Sequence, residues 1–212
     1  MDADFWRLRW RDGQTGWRQS AAHPMLTRHI PAIVEPYARV FVPFCGDSVD
    51  VGWLRAAGYR VAGVELVESA VERLFENLGV EPEVETAGAL KRYAGEGIDV
   101  FVGDLFDLTA GDLGTVDAVY DRAALVALPP ETRPAYAAHV SALAGRAPQL
   151  LISFDYDQSR MAGPPFSVPG EEVSALYESA YDLELLESAE VEGGLKGLSP
   201  ATEIAWSLKP VT

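Results

Sequence analysis

Apolar residues recur along this chain in two rhythms, helical and extended, with Gly and Pro marking the breaks between them. Phe5, Trp6 and Trp10 stand at helical spacing within Asp4 to Arg11, and Pro24 to Ile33 predicts a second short helix. Val40 to Val42 predicts a strand. Asp47 or Ser48 then offers a side-chain oxygen to the first free amides of a helix reaching Ala57, which Gly58 closes. Val61 to Val64 predicts the next strand, and Glu68 to Leu78 a helix that Gly79 stops. The stretch "ALKRYAGEGIDVFVGDLFDL" reads as a strand, a turn around Gly95 to Gly97 and a further strand from Ile98 to Val102. "VDAVYDR" predicts the fourth core strand and "PETRPAYAAHVSALAG" a helix, while "PQLLISFDY" is a continuous apolar run of the kind found where both sheet faces are covered. Beyond the long, proline-rich "DQSRMAGPPFSVP" come a helix from Gly170 to Tyr177 and two final strands, near Tyr181 to Leu186 and Ile204 to Leu208.

Strands alternating with helices predict an α/β fold: a mostly parallel sheet with helices on both faces, an N-terminal helical cap over residues 1–35 and a C-terminal antiparallel hairpin. No internal repeat or linker divides the chain, so residues 1–212 are expected to form one domain. In such sheets ligands bind at the carboxyl ends of the strands, beside the point where the strand order reverses.

Composition narrows the partners. Hydrophobic residues make up 48% and charged residues 23% of the 212, which is globular rather than disordered, and no apolar run approaches the roughly 20 residues of a membrane span. The N-terminus "MDADFWRLRWRDG" lacks the basic and apolar regions of a secretory signal, and the lone Cys45 has no partner for an internal disulfide. A cytoplasmic, reducing setting and a monomer are therefore expected. A formal charge of -15 opposes nucleic acid and anionic membranes. No Cys/His cluster has metal-ligand spacing, so no metal is expected.

The most informative stretch is "RVFVPFCGDSVDVGWLRAAGYRVAGVEL", a strand, loop, helix and strand ending on an acid. Dinucleotide sites of this design carry three glycines so that the backbone can approach a pyrophosphate. Here the loop has Gly46 alone, and Asp47 puts negative charge where a phosphate would sit. An adenosine without phosphates suits it better, S-adenosylmethionine being the common one. Glu65, 19 residues past Gly46, stands where a carboxylate accepts ribose hydroxyls. Asp104 and Leu105, after the third strand, offer an acid for the adenine amine and an apolar side for its ring. Arg122, after the fourth, offers a cation for a carboxylate of cofactor or substrate.

These residues lie within a wider resemblance. "FWRLRW" with "GQTGW", "RVFVPFCGDSVDVGWL", "GYRVAGVEL", "FDL", "YDRAALVALPP" and "YDQSRMAGPPFSVP" follow one another from Phe5 to Pro169, about four-fifths of the chain, and in this the sequence resembles the bacterial thiopurine S-methyltransferases. The resemblance implies a seven-stranded, Rossmann-like class I methyltransferase sheet. It also implies S-adenosylmethionine as cofactor, S-adenosylhomocysteine as product, and sulfur as the methylated atom, with selenium or tellurium compounds as further acceptors. By position it assigns Trp6 and Trp10 to a cap over the cofactor, Phe44 and Gly46 to the loop, Glu65 to the ribose, Asp104 and Leu105 to the adenine, and Arg122 to the strand-four cation. Trp17 would face the acceptor. The chain departs from the family at Arg18, where His is usual, at Phe44, where Leu is common, and after Glu187, where Lys196 is the only basic residue before Leu208. These departures bear on the acceptor, not the cofactor.

Methyl transfer from a sulfonium is an in-line displacement. Orientation is worth effective molarities of about 10⁵–10⁸ M, against ~10²–10⁴-fold for a general base, so positioning is expected to dominate. His23, His29 and His139 all lie in helical contexts that suit capping or surface roles, and Cys45 reads as a small loop-shaping residue rather than a nucleophile. Arg122 would stabilise an anionic sulfur. Phe166 either lines the acceptor pocket or belongs to a loop merely stiffened by two prolines. Three activities stay open at this point: methylation of thiopurines or other aromatic thiols, methylation of small inorganic nucleophiles such as halide, thiocyanate or selenium and tellurium oxyanions, and cofactor binding without turnover.

Overall fold

The computed structural model describes residues 3–14 and 19–211. Two helices come first, α1 (Ala3–Arg11) and α2 (Pro24–Ile33), followed by β1 (Arg39–Pro43), α3 (Val49–Ala56), β2 (Arg60–Glu65) and α4 (Glu68–Leu78). Next are β3 (Glu83–Ala87), β4 (Leu90–Gly95), β5 (Ile98–Val102), the short α5 (Ala110–Leu113), β6 (Ala118–Arg122) and α6 (Arg133–Leu143). The chain ends with β7 (Gln149–Tyr156), α7 (Gly170–Tyr177), β8 (Tyr181–Glu190) and β9 (Ala201–Pro210). Ser48, not Asp47, caps α3: its hydroxyl accepts from the Asp50 amide.

All nine strands form one sheet in the order β3-β4-β5-β2-β1-β6-β7-β9-β8. The five central strands, β5 to β7, run parallel, and the pairs at both ends are antiparallel. The seven strands from β5 to β8 correspond to the expected sheet with its C-terminal hairpin. The count of seven is corrected by the β3–β4 hairpin added to the β5 edge. Sequence patterning missed β3 because four of its five residues are exposed, so an edge strand held by the tight Ala87–Leu90 turn shows no apolar alternation.

Alternation along each strand feeds two cores. Val40, Val42, Val61, Val100, Leu150 and Ile152 point toward α2, α3 and α4; Phe41, Val64, Phe101, Val119 and Leu151 point toward α6 and α7. The order reverses between β1 and β6, opening a crevice where their carboxyl ends diverge. There Phe44 and Ala123 adopt left-handed backbone, φ +48° and +61°, at a cost of order 1 kcal/mol each, so that both loops turn sharply off the strand tips.

Cys45 folds beneath this loop onto β2. A Cβ on Gly63 would lie 2.7 Å from the Cys45 sulfur, so the pair is a close-packed contact that admits only glycine on the strand side. Gly63→Ala should cost about 1–3 kcal/mol in urea denaturation. Because Cys45→Ala removes the obstructing sulfur, the double variant should lose less than the sum of the two single losses; strict additivity would show that the contact is slack.

Candidate active site

Glu65 ends β2 and is buried, yet its carboxylate accepts two backbone hydrogen bonds: Gly46 N–H donates to Oε2 at 3.1 Å and Val67 N–H to Oε1 at 2.9 Å. One side chain thus ties the loop after β1 to the turn after β2. Burial raises its pKa to about 7 against the partial relief of those amides. Gly46, at φ +52°, lies under Trp10: a Cβ there would sit 3.0 Å from the indole, and the Arg73 guanidinium stacks 4.9 Å from the same ring system. The α1 helix therefore closes onto the loop through Trp10.

From Glu65 a cavity of about 310 Å³ runs across the strand tips. Trp6, Arg9 and Trp10 of α1 line it from above, Phe44, Arg122 and Ala123 along its middle, and Ile152, Phe154, Pro164, Pro165, Lys196 and Glu203 at the far end. A second cavity of about 350 Å³ shares Gln19, Phe44, Arg122 and Ala123 with it and is the more polar of the two, with Asp47, Ser48, Asp50 and Tyr120 in its wall.

Arg122 is held at the junction. Its Nη1 lies 3.4 Å from Oδ2 of Asp50, a buried carboxylate that also accepts from the Tyr120 hydroxyl at 2.9 Å and the His23 amide at 2.8 Å. Asp121, pointing to the opposite face, accepts from the Tyr136 hydroxyl and the Leu125 amide and has its pKa raised to about 6 by burial; it holds the turn after β6 rather than the cavity. Lys196 donates to the Pro164 carbonyl at 2.7 Å and so clamps the β8–β9 loop against the proline loop. Burial, with Arg9 nearby, lowers its pKa.

Of the residues expected from sequence, Trp6, Trp10, Phe44, Glu65 and Arg122 line the first cavity and Gly46 backs it. Asp104 is exposed and caps a short turn through the Phe106 amide; Leu105 is buried in the core beneath it. Neither lines the cavity, although the Gly103 amide bonds to the Glu65 carbonyl and so sets Asp104 one residue from that strand end. Phe166 packs against Arg133 and its own loop, leaving Pro164 and Pro165 as the lining residues. Trp17 and Arg18 lie outside the described residues. His23 caps α2, one of the roles expected for the histidines, while His29 meets Glu187 at 2.7 Å and His139 meets the Leu105 carbonyl, contacts that sequence reading did not anticipate. Burial pushes the Cys45 thiol well above its ordinary pKa, against a nucleophilic role. Among the described residues no group of three or more His, Cys, Asp or Glu is placed to hold a metal, and no helix is long and apolar enough to cross a membrane. Asp50, Tyr120 and Glu203 carried no sequence signal, because each joins the site through partners distant in the chain; Lys196 stood out only as the one basic residue between Glu187 and Leu208.

The raised pKa of Glu65 has a sign. Its ordinary value is 4.5, so the folded protein binds the proton more tightly; this group's contribution to stability is full below about 4.5 and is lost as pH rises through about 7. Wild type should therefore lose about 2–3 kcal/mol more than Glu65→Gln between pH 4.5 and 8 in denaturant titrations without ligand. Parallel pH profiles would contradict the burial assigned to this carboxylate.

Comparison with known proteins shows the family and the fold. The family model described as thiopurine S-methyltransferase (TPMT) matches residues 1–203. The chain is 52% identical to the thiopurine S-methyltransferase of Xanthobacter autotrophicus over 211 residues, 99% of each chain. It is 47% identical to that of Gluconobacter oxydans, covering 99% of this chain and 96% of the relative. Among solved structures, the Burkholderia thailandensis 1,6-didemethyltoxoflavin-N1-methyltransferase, with its substrate and S-adenosylhomocysteine bound, superposes with a TM-score of 0.68 at 18% identity, covering 99% of this chain and 87% of that one. A TehB-like SAM-dependent methyltransferase from Corynebacterium glutamicum superposes with a TM-score of 0.59 at 16% identity, covering 99% and 98%.

Proposed function

The chain belongs to the thiopurine S-methyltransferase family, and on that premise we propose that it transfers methyl groups from S-adenosylmethionine to the sulfur of thiopurines and related heteroaromatic thiols. The observation that carries this is the cavity from Glu65 to Glu203, which has an adenosine-compatible acid at one end and a flat apolar wall at the other.

The residues fit the cofactor. Each carboxylate oxygen of Glu65 has lone pairs left after its backbone bonds, enough for ribose hydroxyls. The polar second cavity suits an amino-acid tail, with Asp47 and Asp50 toward an ammonium and Arg122 toward a carboxylate, while the same acids disfavour a phosphate. When bound, S-adenosylmethionine supplies a methyl carbon activated by its sulfonium. At the Glu65 end we assign the exposed Asp104 to the adenine amine, whereas Leu105, buried in the core, holds the turn beneath it, and Trp6 and Trp10 exclude water above the cofactor. Excluding water strengthens the hold of Arg122 on the electron-rich acceptor sulfur, whether it is bound as thiolate or thione.

At the acceptor end, Ile152, Phe154, Pro164 and Pro165 favour an aromatic ring over a halide or oxyanion. Gln19 lines both cavities; Trp17 and Arg18 are assigned to the acceptor on the family resemblance alone, and Phe166 stiffens the proline loop from behind. The single sheet supports reading residues 1–212 as one domain, and the net charge of -15 supports a soluble cytoplasmic monomer through mutual repulsion of copies.

Labelled-methyl transfer to 6-mercaptopurine is the direct test, and absence of transfer to any heteroaromatic thiol would overturn the proposal. Glu65→Ala should weaken S-adenosylhomocysteine binding about 10–100-fold by calorimetry, the equivalent of one or two charge-assisted hydrogen bonds. Arg122→Ala should lower kcat/KM for 6-mercaptopurine by about 100-fold, in line with loss of a charge-stabilising contact.

A further inference from the structure

The far end of the cavity holds a carboxylate that positioning of a thiolate alone does not require. Glu203 lies on β9, paired in register with Phe154 of β7; two residues along, Ala205 pairs with Ile152, which pairs in turn with Arg122 of β6. Since residues two apart on a strand share a face, Arg122 and Glu203 emerge on the same side of the sheet, flanking β7. Their strands are two intervals apart, roughly 10 Å, with Ile152 and Phe154 as the floor between them. A planar heterocycle on that floor would have the cation at one edge and the carboxylate at the other.

Glu203 is also oriented. His23 Nδ1 accepts from the Met25 amide, so the ring proton of this buried imidazole is on Nε2, which donates to Glu203 Oε1 at 3.0 Å. Among the described residues Glu203 Oε2 takes no hydrogen bond. The titratable and charged groups around it are His23 from the start of α2, Asp50 from α3, Arg122 from β6, and Arg9, Glu65 and Lys196 along the same cavity.

We propose that Glu203 is the proton acceptor for the acceptor's ring N–H, and that it selects thiones carrying a hydrogen on the nitrogen beside the thiocarbonyl carbon. This rests on the thiopurine reading above. Such heterocycles exist largely as the neutral thione, H–N–C=S, whose sulfur is a weaker nucleophile than the thiolate. As the acceptor sulfur forms its bond to the methyl carbon, the donor's C–S bond breaks and its electron pair returns to the sulfonium sulfur. The methylated heterocycle now carries the positive charge and gives its N–H proton to Glu203 Oε2, leaving a neutral methylthio product and a protonated carboxyl that releases the proton to solvent. His23 is a positioning residue: it occupies Oε1 and leaves Oε2 for the acceptor.

The test compares wild type and Glu203→Gln on two acceptors: 6-mercaptopurine, with its ring N–H, and 4-nitrothiophenol, an ionised thiol with no such proton. In the variant, His23 Nε2–H claims the amide oxygen and turns the amide NH₂ toward the acceptor, donor facing donor. We expect kcat/KM for 6-mercaptopurine to fall about 10²–10³-fold, 4-nitrothiophenol to change less than about threefold, and S-adenosylhomocysteine affinity to stay unchanged. Calorimetry on the protein loaded with S-adenosylhomocysteine should show at least about tenfold weaker 6-mercaptopurine binding, and the variant's rate should recover as pH passes the acceptor's own ionisation. Glu203→Asp should restore part of the selectivity. Independently of folding in any variant, wild type should use 1-methyl-6-thiopurine, which lacks that hydrogen, about 100-fold less efficiently than 6-mercaptopurine. Equal losses on both acceptors, no loss on 6-mercaptopurine, or efficient use of the N-methyl thione would overturn the role of Glu203 alone. A wild type inactive on every acceptor would overturn the functional reading and this assignment with it.

Discussion

The site depends on a buried carboxylate at the end of β2. Glu65 has little water around it, and two amides from separate turns, Gly46 and Val67, replace that solvent. Neither turn is regular structure, and a loop with one glycine between an apolar strand and a helix has many alternatives to its observed shape. Bonding both to one side chain removes those alternatives and aims the remaining lone pairs at the crevice. The carboxylate that we assign to the ribose is thus also the one that ties the two loops of the crevice together.

A second buried acid does comparable work for the acceptor half. Asp50 collects the His23 amide, the Tyr120 hydroxyl and the Arg122 guanidinium, joining the start of α2 and the start of α3 to the tip of β6. His23 then reaches Glu203 on β9. Four elements therefore set the direction of one cation and one carboxylate. In an in-line displacement, where geometry outweighs acid–base chemistry, such a network is where the catalytic contribution resides.

The overall negative charge takes on a local meaning. The cationic ends of Arg9, Arg122 and Lys196 gather along one cavity within an acidic protein, with Glu65 and Glu203 at its two extremes. A ligand that is positive at its sulfonium and becomes neutral on transfer, opposite an acceptor that must shed a proton, matches that distribution better than a polyanion does.

Much of this was legible from residue order alone. The alternation of apolar runs and amphipathic segments determined the α/β class and all but one strand, since buried strands and helices carry their periodicity locally; β3, exposed at the edge, carries none. Gly46, Glu65 and Arg122 were recognisable because each stands at a fixed offset from a strand end, where chain order and function coincide, whereas Trp10 and Phe44 were assigned by the family resemblance. What only the tertiary structure decided is the far half of the cavity. Glu203 and His23 are 180 residues apart, and Lys196 reaches across to Pro164; pairing of β7 with β9 brings the far half of the cavity together. Periodicity records which side of an element is apolar, whereas an antiparallel return strand places a side chain opposite partners that nothing in its own neighbourhood specifies.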